Sequence, residues 1–364
     1  MTKEYYERWS AVIVQPEQIN ASSRKDISSN LEKYCRFIDM VAAAGASAKM
    51  KGEEGFAPVK LVAFSEFFLQ GWIMTADLEK HKRDILIEIP GPELEKFGEK
   101  AKEKGIYIAG AALEYDSNFP EAIFNCAFLI DPTGEVIHKY RKLNPAIHFE
   151  LSTSPFDVFD KYMEIYGRDK SILDTFFPVT DTPLGKIGMF ICMDGHYPEV
   201  PRALVMNGAE ILIRPTAFPE PLVYSPMDTW EIENRSAAYF NLAYVIAPNT
   251  GAFVGELPKF FCPGDSMIVD FNGIIIGRAP YPGETFFSAV INTELLRARR
   301  ADASRNYPSQ LKAEVFREIY KEPIYPKNLL LKKPIRSLKE AGRRESTPVI
   351  KKFYEKGIYV KPRS

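Results

Sequence analysis

Histidine and cysteine are both scarce, with four of each in 364 residues. Cys35, Cys126, Cys192 and Cys262 are widely spaced and contain no C-x-x-C pair, which gives no reason to expect a zinc ribbon or a disulfide framework. No two histidines have metal-ligand spacing, and no glycine-rich loop is there to cradle a phosphate. Neither a metal nor a cofactor is therefore expected. Long apolar runs are missing as well: nothing approaches the ~20 residues that span a bilayer, and Met1-Thr-Lys-Glu-Tyr-Tyr-Glu7 is too polar for a signal peptide. Net charge is also lacking, with 47 basic side chains against 48 acidic ones. Without a global field, neither nucleic acid nor an anionic membrane is an expected partner. A cytoplasmic protein with free thiols follows as the expectation.

What the chain does have is a globular balance, 46% hydrophobic and 26% charged. Apolar runs of strand length alternate with amphipathic stretches of helix length. Strands are predicted at 10–14, 60–64, 106–112, 189–191, 210–214, 243–247 and 286–291. Helices are predicted at 22–44, 92–104, 198–206, 227–239 and 293–300, with a loop over 45–58. Asp131-Pro-Thr-Gly-Glu135 and Phe271-Asn-Gly273 mark two hairpins. The pattern predicts an α/β protein whose sheets carry helices on one face and pack together on the other. From residue 307 onward the chain changes character: it is broken by prolines, dense in Lys and Arg, and apolar in spots such as Leu329-Leu-Leu331. This tail is expected to lie extended on a surface, its own or a partner subunit's.

One stretch stands out, Gly188-Met-Phe-Ile-Cys-Met-Asp-Gly-His-Tyr-Pro-Glu199. A buried strand stops at Cys192, Asp194-Gly195 turns the chain, and Pro198-Glu199 opens a helix. A cysteine at such an elbow sits near a helix N-terminus, whose positive end favours thiolate over thiol. Two further polar stretches fall at strand ends, Ala63-Phe-Ser-Glu-Phe67 and Tyr140-Arg-Lys-Leu-Asn-Pro145. Each alone has a dull explanation: Glu66 could cap a helix, Lys142 could be a solvated hairpin residue, and Cys192 could be core. Together they supply what thiol chemistry on an amide requires. A sulfur attacks, a carboxylate moves protons, and an ammonium faces the oxygen that becomes negative.

These three motifs, in this order, resemble the Glu–Lys–Cys signature of the nitrilase superfamily of carbon–nitrogen hydrolases. Glu66 in F-S-E-F, Lys142 in Y-R-K-L-N-P and Cys192 in I-C-M-D match it, as do G-K-I-G before the cysteine and P-E-x-x-R after it. The resemblance implies a four-layer α-β-β-α sandwich, with a hydrolase domain over 1–306, an insertion at about 152–177 and an extended C-terminal arm over 307–364. R-K-L-N-P is closest to the aliphatic amidase and formamidase branch, which places a second glutamate eight residues after the lysine, here Glu150. C-M-D rather than C-W-E argues against a nitrile substrate. By resemblance Glu66, Lys142, Glu150 and Cys192 are catalytic, and Phe67, Ala146, His148, Met193, Asp194 and His196 lie around the substrate. His81 and His138 are read as peripheral.

Two departures bear on substrate size. The small-amide enzymes carry a bulky aromatic after N-P, where this chain has Ala146, and the aromatic-rich stretch 152–177 is extra. Both point to a roomier pocket, and so to an amide larger than formamide or acetamide. The alternatives are an N-carbamoyl amidohydrolase, with Arg168, Arg202 or Arg214 meeting a substrate carboxylate, and a catalytically silent scaffold. The family further implies a homo-oligomer built from dimers that pair through helices near the cysteine elbow, with the tail wrapped over a neighbour.

Overall fold

Apolar residues fill β1 (Arg8–Gln15), β3 (Val59–Glu66) and β4 (Tyr107–Glu114) almost end to end, the pattern of parallel strands covered on both faces. In the computed structural model, which describes residues 5–50, 57–72, 78–219, 228–254 and 262–363, these three form the parallel centre of a six-stranded sheet. Its order is β14-β1-β3-β4-β5-β6, with β5 (Phe124–Ile130), β6 (Val136–Arg141) and β14 (Thr285–Asn292) antiparallel to their neighbours. A second six-stranded sheet repeats this plan. Its parallel centre is β8 (Gly185–Met189), β9 (Ile211–Ile213) and β10 (Tyr244–Ala247). Antiparallel β7 (Val179–Thr182), β12 (Met267–Val269) and β13 (Ile275–Arg278) complete it. A two-stranded ribbon joins β2 (Glu17–Ile19) to β11 (Ala252–Val254).

Each parallel step needs a crossover, and helices supply it. Arg24–Met50 and Pro92–Lys104 serve the first sheet, Glu199–Met206 and Thr229–Asn241 the second. Alternation along β1 shows how the layers are specified. Ala11 and Ile13 face the second sheet and pack in one cluster with Met189, Leu212 and Ile246. Val12 and Val14 face outward, onto Ile27, Leu31 and Phe97 of the covering helices. The result is an α-β-β-α sandwich. The catalytic candidates end up at strand ends: Glu66 closes β3, Lys142 follows β6, and Cys192 lies three residues past β8.

The boundaries differ from expectation in places. The first helix runs on to Met50, because Gly45 costs only about 1 kcal/mol in a helix and lies among the alanines Ala42, Ala43, Ala44, Ala46 and Ala48. The strand expected at 189–191 is β8 at 185–189, set by its hairpin with β7. Met227, where a helix was expected to begin, and residues 51–56 of the expected loop lie outside the described residues. Residues 152–177 fold into Pro155–Val158, Phe159–Tyr166 and Ile172–Phe176, packing Tyr162 and Phe176 onto Phe119 and Phe124. The tail is a series of short helical turns rather than a plain extended arm. Prolines interrupt it, and Pro348 sits in the first turn of its final helix, Thr347–Glu355. It lies partly on the body of its own chain: Leu330, Ile335 and Ala341 are buried, and Leu330 N–H donates to the Asp157 carbonyl at 3.0 Å. Among the described residues no helix is long and apolar enough to cross a membrane.

Candidate active site

Two carboxylates hold one ammonium. Lys142 Nζ donates to Glu66 Oε1 at 2.8 Å and to Glu150 Oε2 at 2.6 Å, and all three side chains are buried. Asn125 Nδ2 bridges the same carboxylates from β5, 2.7 Å from Glu66 Oε1 and 2.8 Å from Glu150 Oε1. Glu150 also accepts from the Ala146 N–H at 3.0 Å and from the Ser152 hydroxyl. The free oxygen of Glu66, Oε2, accepts the Ala217 N–H at 2.9 Å. Ala217 follows β9, so the bond ties the first sheet to the second. The Glu66 N–H to the Thr216 carbonyl, at 3.4 Å, adds a second tie.

Cys192 sits at the turn with φ 44°, a left-handed backbone that a side-chain-bearing residue adopts only where its surroundings impose it. Those surroundings are visible. The Cys192 N–H donates to the Pro215 carbonyl at 3.1 Å, and its own carbonyl accepts from Arg214 Nε at 3.1 Å and Nη2 at 2.6 Å. Arg214 is fully buried, held in turn by Asn234 Oδ1 at 3.0 Å and Glu233 Oε2 at 2.5 Å. Phe67, after Glu66, is also left-handed at φ 59°. Both backbones thus turn sharply where their reactive side chains emerge.

Burial pushes the Cys192 thiol well up, and the Glu66 charge adds to it; Lys142, Arg214 and the Ala217 N–H pull back without winning. The direction favours a resting thiol, opposite to the thiolate that a helix N-terminus was expected to favour. The helix Glu199–Met206 starts seven residues later, and a single 3₁₀ turn, Cys192–His196, separates them. Burial likewise raises Glu66 above the usual carboxylate range, against the pull of Lys142. Glu150 meets the same burial, but Lys142, Ser152 and Asn125 outweigh it and hold it below that range. Lys142 is raised, since the two glutamates overcome its own desolvation. The arrangement is a charged lysine, an ionised Glu150, and a more basic Glu66 beside a neutral thiol.

The residues expected around the substrate are placed variously. Asp194 is fully buried, and its carboxylate accepts from Tyr140 Oη at 2.8 Å, Ile191 N at 3.0 Å, and Asn144 N and Nδ2 at 2.8 and 2.9 Å. It fastens the lysine loop to the cysteine elbow, with its oxygens occupied by protein donors. His196 pairs with Glu233 and packs against Phe218, while exposed His148 meets Glu345 of the tail at 2.8 Å. Phe67 is buried in a cluster with Trp72 and Leu113. Met193 lines a cavity of about 430 Å3, together with Asn144, Pro145 and the tail residue Tyr325. Ala146 is partly buried and follows Pro145 without lining that cavity itself. His81 and His138, read as peripheral to the site, are both buried in the fold, and His81 borders a small hollow that Glu150 also lines. Of the arginines considered for a substrate carboxylate, Arg214 is committed to Cys192, Arg202 donates to the Phe240 carbonyl at 2.9 Å, and Arg168 is exposed. Among the described residues no group of three or more His, Cys, Asp or Glu side chains could hold a metal ion.

Asn125 and Ala217 were not singled out in the sequence, and Arg214 was weighed only as a partner for a substrate carboxylate, not as the anchor of the Cys192 backbone. A polar residue within the apolar strand Phe124-Asn-Cys-Ala-Phe-Leu-Ile130 was a usable sign, since a buried amide needs partners. Arg214 at the end of an all-apolar strand was another. Ala217 acts through its backbone and leaves no mark in residue type.

Residues 11–301 match the family model described as carbon-nitrogen hydrolase. The chain is 30% identical over 268 residues to a formamidase of Bacillus thuringiensis (strain Al Hakam), covering 72% of this chain and 68% of that protein. Its fold is similar to a carbon-nitrogen hydrolase from Helicobacter pylori G27, with TM-score 0.66 and 21% identity over 87% of this chain and 99% of that one. It is also similar to an amidase of the nitrilase superfamily from Nesterenkonia AN1, with TM-score 0.58 and 18% identity over 85% and 97%. The protein belongs to the carbon-nitrogen hydrolase family and is a hydrolase acting on carbon–nitrogen bonds.

Proposed function

We propose that the protein is a cysteine-dependent amidase that converts a carboxylic amide to its acid and ammonia through a thioester on Cys192. The observation that carries this is the shared ammonium: Lys142 is fixed by Glu66 and Glu150, and the charges of Lys142 and Glu66 both act on the buried Cys192 thiol. The likeness to a protein named formamidase supports amide hydrolysis. Glu66, the more basic carboxylate, takes the thiol proton as sulfur adds to the amide carbon. The oxyanion is held by Lys142 and the Met193 N–H. Glu66 then gives its proton to the nitrogen, the C–N bond breaks, and ammonia leaves a thioester. Water placed by Glu150 loses a proton to Glu66 and adds to the thioester. The C–S bond breaks, and the proton returns to sulfur. Glu150 stays ionised throughout and keeps Lys142 charged and in place.

Intact mass after a quenched reaction with a slowly hydrolysed amide should show an acyl adduct on the wild-type chain and none on Cys192→Ala. That variant should lose more than about 1,000-fold in ammonia release, the scale of a missing nucleophile. A Cys192→Ala protein that still turns over would end the thioester mechanism.

The substrate is larger than formamide or acetamide. Ala146, small where the resemblance expects an aromatic, stands in sequence between Pro145 and Ile147, both of which line the 430 Å3 cavity. Ala146→Trp should move the chain-length preference toward acetamide by tenfold or more, within the range that one or two methylenes command. An unchanged preference across acetamide, butanamide and hexanamide would contradict the size argument.

A further inference from the structure

The family match ends at residue 301, yet the cavity beside the cysteine elbow does not. Leu143, Pro145 and Met193 form part of its lining within the matched region, and Ile324, Tyr325 and Val349 of the tail form another part. The tail residues are tied to the catalytic framework through Arg344. Its Nη1 donates to the Ser152 carbonyl at 2.7 Å and its Nη2 to the Glu150 carbonyl at 2.6 Å, while its own carbonyl accepts the Tyr325 hydroxyl at 2.9 Å. Arg344 and Glu150 are each about 95% or more buried. The tail therefore grips the backbone of the glutamate that holds Lys142. Moving the tail would move both the pocket wall and that backbone.

The cavity's chemistry limits what it can take. Its lining is mainly aliphatic and aromatic. Its carboxyl and guanidinium, Asp157 and Arg344, are both buried, and Arg344 spends its two terminal nitrogens on the Ser152 and Glu150 carbonyls, so the wall offers little to a charged acyl group. About 430 Å3 is within the range of small-ligand sites and far more than a methyl group fills.

Glu66, Lys142, Glu150 and Cys192 do not line the cavity, which reaches them through Met193, the neighbour of Cys192, and through the Arg344 bond to the Glu150 backbone. We propose that the cavity receives the acyl end of a substrate held at Cys192 and that the segment from Ile324 to Val349 is its specificity wall, selecting uncharged amides with an apolar acyl group of hexanoyl or phenylacetyl size over acetamide. This rests on the amidase reading above. Full-length wild type, Ile324→Trp and Val349→Trp are assayed for ammonia release from hexanamide, phenylacetamide and acetamide, with thermal midpoints measured alongside. The ratio of kcat/KM for hexanamide to that for acetamide should fall at least tenfold in each variant, through a higher hexanamide KM rather than a lower kcat. Because Ile324 is 45% exposed, its variant keeps the test alive should the more buried Val349 not tolerate the ring. Ratios within twofold of wild type in folded variants overturn the wall and leave the amidase standing. A wild type silent on all three amides overturns the amidase, and the wall with it.

Discussion

Asn125 offers one amide to two carboxylates, and this sets the proton chemistry of the site. Glu66 must be ionised to take the thiol proton, and burial holds it above the ordinary carboxylate value of about 4.3. The kcat/KM profile should therefore fall as pH drops through that raised value, so its acid limb lies at higher pH than an unperturbed glutamate would give. The Asn125 hydrogen bond favours the charged form of Glu66, so Asn125→Ala should push the limb higher still. A limb that stays put or moves to lower pH would contradict this. The reactive types were legible in the sequence, since Glu66, Lys142 and Cys192 stand in local motifs at strand ends. The groups that tune them were not, because Asn125 and Arg214 gain partners only when distant strands meet. The direction of the thiol shift was hidden for the same reason: it depends on burial by the second sheet.

The elbow after β8 shows how an element can be shaped by a single missing atom. A Cβ placed on Gly195 would lie 2.0 Å from Arg214 Nη2, the nitrogen that donates to the Cys192 carbonyl. Gly195→Ala should displace the guanidinium, costing about 1–3 kcal/mol as an overpacked site does. It should also lower kcat at least tenfold well below the melting transition, because the left-handed Cys192 backbone loses its anchor. Wild-type turnover in a folded Gly195→Ala protein would show the anchor to be dispensable. Elements of strong period, such as the helix from Pro92 to the left-handed Gly105, could be read directly. The three-residue strands β2 and β11 could not, because their pairing joins residues more than 230 positions apart and no local pattern records it. The tail was hard for another reason. Its prolines announce breaks but not where each short turn lands, and the Arg344 contacts with the Glu150 segment are purely tertiary.

At the scale of the molecule, the second sheet's covering helices present large apolar side chains to solvent. Met206, Ile232 and Phe240 are each more than half exposed, as is Ile319 of the tail nearby. A patch of this kind on an isolated chain marks a contact surface, and a homodimer through these helices is our proposal for it. Ile232→Glu combined with Phe240→Glu should lower the sedimentation coefficient to that of a single chain, and unchanged sedimentation would remove this face from consideration. The layered architecture itself was readable, since strand–helix alternation and two hairpins fix the class. The division of labour between the layers was not. Glu66 and Lys142 ride on one sheet and Cys192 on the other, with the Ala217 N–H to Glu66 bond as the stitch between them. Neither half could then work as a fragment, and turnover becomes a gauge of cohesion: denaturant that parts the layers should silence the enzyme at the same concentration at which Trp9, lodged in that seam, first meets water.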